Sequence, residues 1–305
     1  MVFTKCIFFY VIGTIIQDTL RGEMSMRKFK KIVTLAIASI MMMSMFSACG
    51  SNDSKETTKG NESSAQVADV KVINNGVLTV GAEIGYPPFE SFAEDGTTPV
   101  GFDIDIIAEV SRRLGMDYNF INTSFDGIFA GIGVNYDCVC SAVTVTAERK
   151  NEMLFSVPYI QNYQAIVVRA DSELEISSFT DLNNMTVAFQ KGTTSDELMK
   201  DLKSTGTVDI ETVANDKLLS CFTQLTNKEV DVVAVDNTVA TSFVSKNSDK
   251  YKIAFVDDSE PEEFAIAFGK NDTQLQAAVN KVLEEMKEDG FIQETYDYWF
   301  GVEAE

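Results

Sequence analysis

Residues 77–121 carry the pattern that decides the fold: VLTVGAEIGYPPFESFAEDGTTPVGFDIDIIAEVSRRLGMDYNFI. The stretch opens with a short apolar strand at residues 77–81, followed by a turn rich in glycine and proline. Residues 105–114 carry apolar side chains at helical spacing, and Gly115 is a stop signal. Residues 118–121 have the pattern of a second strand. Strands that alternate with helices in this way predict a parallel sheet covered on both faces.

The same alternation continues along the chain. Further strands are predicted at residues 137–145, 165–169, 186–189, 230–235 and 264–268, and further helices at residues 126–132, 196–202, 217–225 and 273–287. Asp126 is the expected cap of the first of these helices, although two glycines weaken it. The fold class is therefore α/β, and 305 residues suggest two compact units after removal of a leader.

Composition limits the functions that the chain can perform. It has 46 Asp and Glu against 25 Lys and Arg, no histidine, and a formal net charge of −21. Without histidine, serine–histidine triads and histidine-ligated metals are impossible. The negative charge would repel a phosphate backbone, which argues against binding to nucleic acid.

The positive charge is concentrated at the start of the chain. Residues 1–48 hold six basic and two acidic residues, so residues 49–305 carry −25. A basic stretch at residues 27–31, an apolar run at 32–46 and small residues before Cys49 have the layout of a secretory signal. The ending resembles a bacterial lipobox, in which the cysteine is lipidated and becomes the first mature residue. A short membrane anchor with an incidental cysteine is the alternative.

Two segments flank this signal. Residues 1–25 contain a second apolar piece, and either they extend the leader or translation begins at Met24 or Met26. Residues 49–70 are rich in Ser, Thr, Asn, Lys and Glu, which predicts a flexible tether. No later stretch reaches the ~18 apolar residues that span a bilayer. We therefore expect a body outside the cytoplasm, anchored at one end.

Three cysteines remain in the body. Cys138 and Cys140 lie two residues apart on a predicted strand, so their side chains share one face. With no histidine and no second cysteine pair, the sequence predicts no metal site. Buried free thiols are expected, and a disulfide from Cys221 to one of the other two stays open.

Several positions could hold a charged ligand. Arg149 follows a predicted strand end, where a guanidinium could bind a carboxylate or form a surface salt bridge. Gly192, Thr193 and Thr194 open a helix, where free backbone N–H groups could bind an anion or merely be capped. Asp236 ends a buried strand and could bind an ammonium group or cap the next helix.

Other positions could contact a ligand side chain. Tyr86 and Phe125 lie in loops after strands and could form an aromatic slot or belong to the core. Glu83 could bind a polar or cationic side chain or be a solvated surface carboxylate. A carboxylate site, an ammonium site and an aromatic slot are together what a zwitterionic amino acid requires.

A colinear set of short motifs runs from about residue 76 to residue 300. The motifs are YPPFE at 86–90, VGFDID at 100–105, FDG at 125–127, YD at 136–137, TVTAERK at 144–150, FSVPY at 155–159, GTT at 192–194, DVVAVD at 231–236 and YWF at 298–300. In this order the chain resembles the extracellular solute-binding protein family 3, the polar amino-acid receptors of ABC importers. The resemblance implies a type II periplasmic-binding-protein fold, with two lobes that are each a mainly parallel sheet flanked by helices. Lobe 1 would comprise residues 71–164 and 259–305, and lobe 2 residues 165–258.

The resemblance also implies ligand contacts. Arg149 would hold the α-carboxylate of an amino acid, helped by backbone N–H groups at Thr144 and Thr194. The neighbouring Gly192 and Thr193 belong to the same anion-binding turn.

The remaining implied contacts concern the other end of the ligand. Asp236 would hold the α-ammonium, together with the Thr144 hydroxyl and the carbonyl of Ala142, where relatives often carry Gly or Ser. Tyr86 and Phe125 would flank the side chain. Glu83 and Gln190 would tune side-chain choice.

The expected function is therefore that of a lipid-anchored substrate-binding protein. It would capture a polar amino acid between two closing lobes and deliver it to a membrane permease. It would be a monomer that faces the extracellular or periplasmic side, with no cofactor and no catalytic activity. The alternatives are a dehydratase-like enzyme on the same fold, or a sensor that presents its ligand to a receptor.

Overall fold

The computed structural model describes residues 70–301. The predicted leader of residues 1–48, Cys49 and almost all of the predicted tether lie outside the described residues. None of the helices between residues 70 and 301 combines the length and the apolar character that crossing a membrane requires.

Strands and helices alternate through most of this part of the chain. The strands are β1 (Val77–Ala82), β2 (Ser91–Phe92), β3 (Pro99–Val100), β4 (Asp117–Asn122), β5 (Cys138–Val139), β6 (Met153–Phe155), β7 (Ile160–Arg169), β8 (Thr186–Gln190), β9 (Glu211–Asn215), β10 (Val232–Asp236), β11 (Tyr251–Phe264) and β12 (Ala267–Gly269). The α-helices are α1 (Phe102–Leu114), α2 (Ala147–Glu152), α3 (Thr194–Ser204), α4 (Leu218–Thr226), α5 (Asn237–Lys246), α6 (Thr273–Glu288) and α7 (Phe291–Phe300). Two short 3₁₀ helices lie at Ile128–Gly131 and Phe179–Leu182.

The first sheet has the strand order β4-β1-β5-β12-β6. Strand β1 pairs in parallel with β4 and β5, whereas β12 runs antiparallel to β5 and β6. Four of its five strands therefore run in one direction. The antiparallel β12 comes from the far end of the sequence, after the second sheet has been completed.

The second sheet repeats this arrangement with the order β11-β7-β10-β8-β9. Strand β8 pairs in parallel with β9 and β10, whereas β7 runs antiparallel to β10 and β11. Again four strands share one direction and one opposes them. The predicted α/β fold with two mainly parallel sheets is confirmed.

Two long strands connect the sheets. β7 and β11 pair over their lengths, and residues 164 and 257 face each other in the register. The distal end of β11 reaches back toward the first sheet, because Phe264 forms a bridge with Thr144. The chain thus crosses between the two sheets twice, along one hydrogen-bonded pair of strands.

Three predicted elements differ in the structure. The helix expected at residues 126–132 is only a 3₁₀ turn that starts from Gly127 in the left-handed conformation, and Asp126 does not cap it. The strand expected at residues 137–145 ends after Val139, because Ala142 has a positive φ of 47° that strand geometry does not allow. The strand expected at 264–268 is divided between the end of β11 and β12.

Other expectations hold closely. The strand at residues 77–81 is observed as β1, and α1 ends at Gly115, which has a left-handed φ of 67° that glycine adopts without strain. The three body cysteines are buried and free, so the buried-thiol prediction is confirmed for them. Burial in an apolar core raises the pKa of the Cys138 and Cys140 thiols, which keeps both in the neutral form.

Candidate ligand-binding site

A small, largely enclosed cavity lies between the two sheets. Its lining comprises Glu83, Tyr86, Phe125, Ser141, Ala142, Thr144, Arg149, Gln190, Thr193, Thr194 and Asp236. Ten of the eleven residues singled out in the sequence are in this lining. The eleventh, Gly192, accepts a hydrogen bond from Arg149 through its carbonyl oxygen at 3.0 Å.

The topology explains why residues so distant in sequence meet. Glu83 directly follows β1, Gln190 ends β8 and Asp236 ends β10. Each stands at the carboxyl end of a strand that runs in its sheet's main direction. Ligands of open α/β sheets bind at this edge, where strand order reverses and loops diverge.

Arg149 is a buried guanidinium held mainly by neutral groups. The residue is 6% exposed, and its Nη1 and Nη2 donate to the carbonyl oxygens of Thr144 and Gly192, each at 3.0 Å. The nearest carboxylate is that of Glu197, 3.6 Å away on a half-exposed side chain. Burial lowers the pKa of Arg149, but a guanidinium stays charged throughout the physiological range.

Asp236 is the buried counterpart of opposite sign, also 6% exposed. Its Oδ2 accepts a hydrogen bond from the Tyr86 hydroxyl, and its Oδ1 accepts from Asn162 at 2.6 Å and Gln164 at 3.2 Å. Burial, with a smaller contribution from Glu262, raises the pKa of Asp236 to about 7. The carboxylate therefore has neutral donors but no adjacent cation among the described residues, which suits it to binding an ammonium group.

Glu262 was not singled out in the sequence, although it shares hydrogen-bond donors with Asp236. Its Oε1 accepts from Gln164 at 3.1 Å, and its Oε2 accepts from Asn162 and Thr144, each at 3.2 Å. The two amides thus bridge both carboxylates. Because the Thr144 hydroxyl donates its hydrogen bond to Glu262, its oxygen stays available as an acceptor for a ligand donor. Because residue 262 belongs to a run of acidic residues, nothing in the sequence distinguishes it from its solvent-exposed neighbours.

The opposite end of the cavity contains a different arrangement. Glu83 is 1% exposed; one carboxylate oxygen accepts from the Gln190 amide and the other from the Lys217 ammonium at 2.7 Å. The solvated-carboxylate alternative for Glu83 is thus wrong. Lys217 precedes α4, on the other side of the cavity, and sequence reasoning missed it because a lone lysine before a helix carries no recognisable signal.

Two aromatic residues line the wall between these ends. Tyr86 and Phe125 are each 8% exposed. The Phe125 ring packs edge-on against Phe129, and the Arg149 guanidinium lies 6.0 Å from the centre of Phe125 and 5.3 Å from that of Phe129. Both rings lie within the distance at which an aromatic face attracts a cation, so they add a favourable contact to the buried guanidinium.

The strained segment at Ala142 is held from behind by two buried acids. The Ala142 amide donates to Asp103 at 2.7 Å, and the Ser141 hydroxyl donates to Glu90. Burial raises the pKa of Asp103 to about 6 and that of Glu90 well above its usual range. These contacts fix the backbone that forms one wall of the cavity, and such over-determination is what allows a non-glycine residue to keep a positive φ.

The cavity thus offers a cationic group, an anionic group and apolar faces. A guanidinium with both ends fixed can bind a carboxylate in a bidentate manner, and a buried carboxylate with neutral partners can bind an ammonium. Within residues 70–301, no three Asp, Glu or Cys side chains cluster in a way that could hold a metal ion.

Comparison with known proteins places these features in a family. Residues 78–302 match the model of the bacterial extracellular solute-binding proteins, family 3. The chain is 31% identical over 236 residues to the L-cystine-binding protein TcyJ of Escherichia coli, covering 77% of this chain and 86% of that protein. It is 29% identical over 281 residues to the L-cystine-binding protein TcyA of Bacillus subtilis, covering 89% and 98%.

Solved structures show the same similarity. An ancestral arginine-binding protein bound to arginine superimposes with a TM-score of 0.68 at 36% identity, covering 74% of this chain and 99% of that chain. The holo form of ArgBP from T. maritima gives a TM-score of 0.65 at 36% identity, covering 72% and 96%. An ancestral amino-acid-binding protein described as a precursor of cyclohexadienyl dehydratase gives 0.67 at 32%, covering 74% and 96%. The chain therefore belongs to family 3 of the bacterial extracellular solute-binding proteins.

Proposed function

We propose that this protein captures a polar amino acid in the cavity between its two sheets and delivers it to the permease of an ABC importer. One observation carries the proposal: two buried charges of opposite sign, Arg149 and Asp236, line the same cavity and are held by largely neutral partners. An α-carboxylate and an α-ammonium are the groups that complement such a pair. The named cystine- and arginine-binding relatives support the same ligand class.

The proposed contacts follow from the donors and acceptors around each charge. Arg149 binds the α-carboxylate, and backbone N–H groups at Thr144 and Thr194 complete its hydrogen bonds. Asp236 binds the α-ammonium, with the Thr144 hydroxyl oxygen and the Ala142 carbonyl as further acceptors. The side chain then extends between Tyr86 and Phe125 toward the other end of the cavity, while Gly192 and Thr193 shape the turn around the carboxylate.

Closure of the lobes couples capture to transport. Arg149 lies in the segment that leads into the first sheet's β6, and Asp236 ends a strand of the second sheet. A ligand that touches both stabilises the closed arrangement by its differential affinity for it. Closure removes water from the two ion pairs and strengthens them. In this proposal the lobes comprise residues 71–164 with 259–305, and residues 165–258.

The location of the protein is part of the proposal. Export by the leader and lipidation of Cys49 would anchor a monomeric body to the outer face of the cytoplasmic membrane, next to its permease. Its task there is binding and release rather than catalysis. Incubation with prephenate-like acids and analysis for dehydrated product separates this binder from an enzyme on the same fold.

A thermal-shift screen of the purified protein against the standard amino acids and cystine tests the central claim. A ligand that binds only the folded state adds about 2.7 kcal/mol of stability when its concentration is 100 times its Kd. We expect at least one polar amino acid to raise the melting temperature, with an equimolar complex in calorimetry. Failure of every amino acid to do so would exclude this function.

A further inference from the structure

The geometry points to the class of amino acid that this site accepts, an inference that rests on the proposed function. We propose that Lys217 acts as a specificity-determining residue: by pairing with Glu83 it makes the far end of the cavity electrically neutral. The site then selects an amino acid whose side chain bears no net charge but presents a hydrogen-bond donor. Arginine and lysine are disfavoured.

The ion pair itself is the first support. The Lys217 Nζ lies 2.7 Å from the Glu83 Oε1, and the side chains are 48% and 2% exposed. The carboxylate is thus out of water, while the ammonium closes it from the solvent side. A buried charge requires a compensating partner, and Lys217 supplies it from the opposite side of the cavity. A cationic ligand side chain would have to displace this tethered ammonium before it could contact Glu83.

The second support is the occupancy of the other Glu83 oxygen. Gln190 donates its amide to the Glu83 Oε2 and also to the carbonyl of Asp216 at 3.3 Å. Because the Glu83 carboxylate and the Asp216 carbonyl can only accept hydrogen bonds, the atom of the Gln190 amide that faces them must be the nitrogen. Both oxygens of Glu83 therefore already have a donor, and a guanidinium would have to compete with Gln190 and Lys217 for them.

An unpaired acceptor provides the third support. Gln190 lines the cavity and is 3% exposed. Its Oε1 has no hydrogen-bond partner among the described residues. A buried acceptor without a partner destabilises a protein, so a ligand that donates to this oxygen gains over an apolar one. An amide side chain does so without adding charge, and the distal half of cystine, itself a zwitterion, can do so with its ammonium.

A neighbouring ion pair provides a matched control. The Lys191 Nζ lies 2.7 Å from the Asp216 Oδ1, with side chains that are 42% and 71% exposed. The substitution Lys191→Met removes the same positive charge as Lys217→Met, from an ion pair of the same length. The acidic partner of Lys191 is solvated, however. Of these two lysines, Lys217 is the one that pairs with a buried acid in the cavity lining.

Calorimetric titration of glutamine, cystine, arginine and lysine into the parent protein, Lys217→Met and Lys191→Met tests the proposal. In the parent, glutamine or cystine should bind at least tenfold more tightly than arginine. Lys217→Met should reduce that ratio at least tenfold, because a ligand cation can now neutralise Glu83. The double variant Glu83→Gln/Lys217→Met should restore the parent's discrimination, since no buried charge remains. Lys191→Met should leave the ratio unchanged.

Each other outcome overturns the inference. A parent protein that binds arginine or lysine as tightly as the uncharged ligands contradicts it directly. Equal changes from Lys217→Met and Lys191→Met would assign the effect to overall charge rather than to Glu83. A lowered melting temperature would show that the Lys217→Met variant is misfolded. In that case the preference of the parent protein for glutamine or cystine over arginine decides whether the inference stands. If no amino acid binds the parent, the proposed function fails together with the inference; if amino acids bind with the wrong preference, only the inference fails.

Discussion

At one end of the cavity, Arg149 and Asp236 are buried charges held mainly by carbonyls, amides and a hydroxyl. At the other end, Glu83 is a buried charge closed by the ammonium of Lys217 at 2.7 Å. The nearest carboxylate to Arg149 is 3.6 Å away on a half-exposed side chain. Both ends of the cavity are lined with ionisable groups. Only at the end with Arg149 and Asp236 do the charges have no close partner of opposite sign among the described residues.

The two ends can therefore recognise different parts of an amino acid: one binds its constant charged groups, and the other selects among side chains. Charges stabilised by neutral dipoles keep most of their electrostatic attraction for the constant, charged part of an amino acid. Charges that already neutralise each other have no net attraction for an additional ion, so the cost of desolvating that ion is not offset and uncharged polar groups are favoured.

Loss of the Arg149 guanidinium should have the largest effect. Arg149→Ala leaves the ligand carboxylate buried without its partner, which should weaken binding by about 3–5 kcal/mol in calorimetry. Arg112→Ala is the control, because Arg112 pairs with Glu109 on a helix surface and is 68% exposed in its side chain. Equal affinity of the Arg149 variant and the parent would show that the charged end has been assigned wrongly.

Asp236→Asn should have the next largest effect. The amide keeps the shape of the side chain but removes the negative charge, so the ligand ammonium should lose about 1.5–3 kcal/mol of binding free energy. Asp171→Asn, whose side chain is 68% exposed, should leave affinity unchanged. A loss in both variants would mean that the overall charge of the protein, rather than this contact, controls binding.

The pH dependence of binding should follow the titration of Asp236. Its pKa is raised to about 7 by burial and by Glu262, so the free protein holds a proton there in mildly acidic solution. The ammonium binds the ionised form, and the proton must leave first. Affinity should therefore fall about tenfold from about pH 8 to about pH 6.

The variant Asp236→Asn is the control for this pH dependence. Asp236→Asn has no proton to release, so its weaker binding should be nearly independent of pH over that range. If the parent instead binds more tightly in acid, the sign of the linkage is wrong and another group controls the profile.

Glu262→Gln should have the smallest effect at this end. Glu262 positions Thr144, Asn162 and Gln164, so its loss should cost about 0.5–1.5 kcal/mol of binding free energy. Because its charge helps to raise the pKa of Asp236, the midpoint of the affinity profile should also move to lower pH. Glu260→Gln, an exposed neighbour on β11, should change neither quantity.

The fold could be predicted wherever local pattern and tertiary role agree. The alternation of apolar strands with amphipathic helices led to an α/β fold, and Gly115 marked the end of α1 because only a left-handed residue fits there. The failures lie where tertiary contacts override propensity. The strand predicted through Ala142 ends early because that residue's backbone is bound to Asp103 in a conformation that no strand contains.

The residues of the site were predicted from strand ends and from motif resemblance. Asp236 was singled out because it ends an apolar strand, which is a local signal, whereas Gln190 was indicated by the resemblance alone. Glu262 and Lys217 gave no such signal, since an acidic run and a lone lysine usually lie in solvent. Their importance comes from partners more than 100 residues away, Thr144 for one and Glu83 for the other.

The sequence alone indicated the α/β class, the burial of the body thiols and two candidate binding charges of opposite sign, Arg149 and Asp236. These depend on the periodicity and chemistry of adjacent residues, which need no knowledge of the third dimension. The tertiary structure decided which charges are neutralised and which stay available. That distinction depends on distances of a few ångströms between elements far apart in the chain, and on the exclusion of water that strengthens each contact.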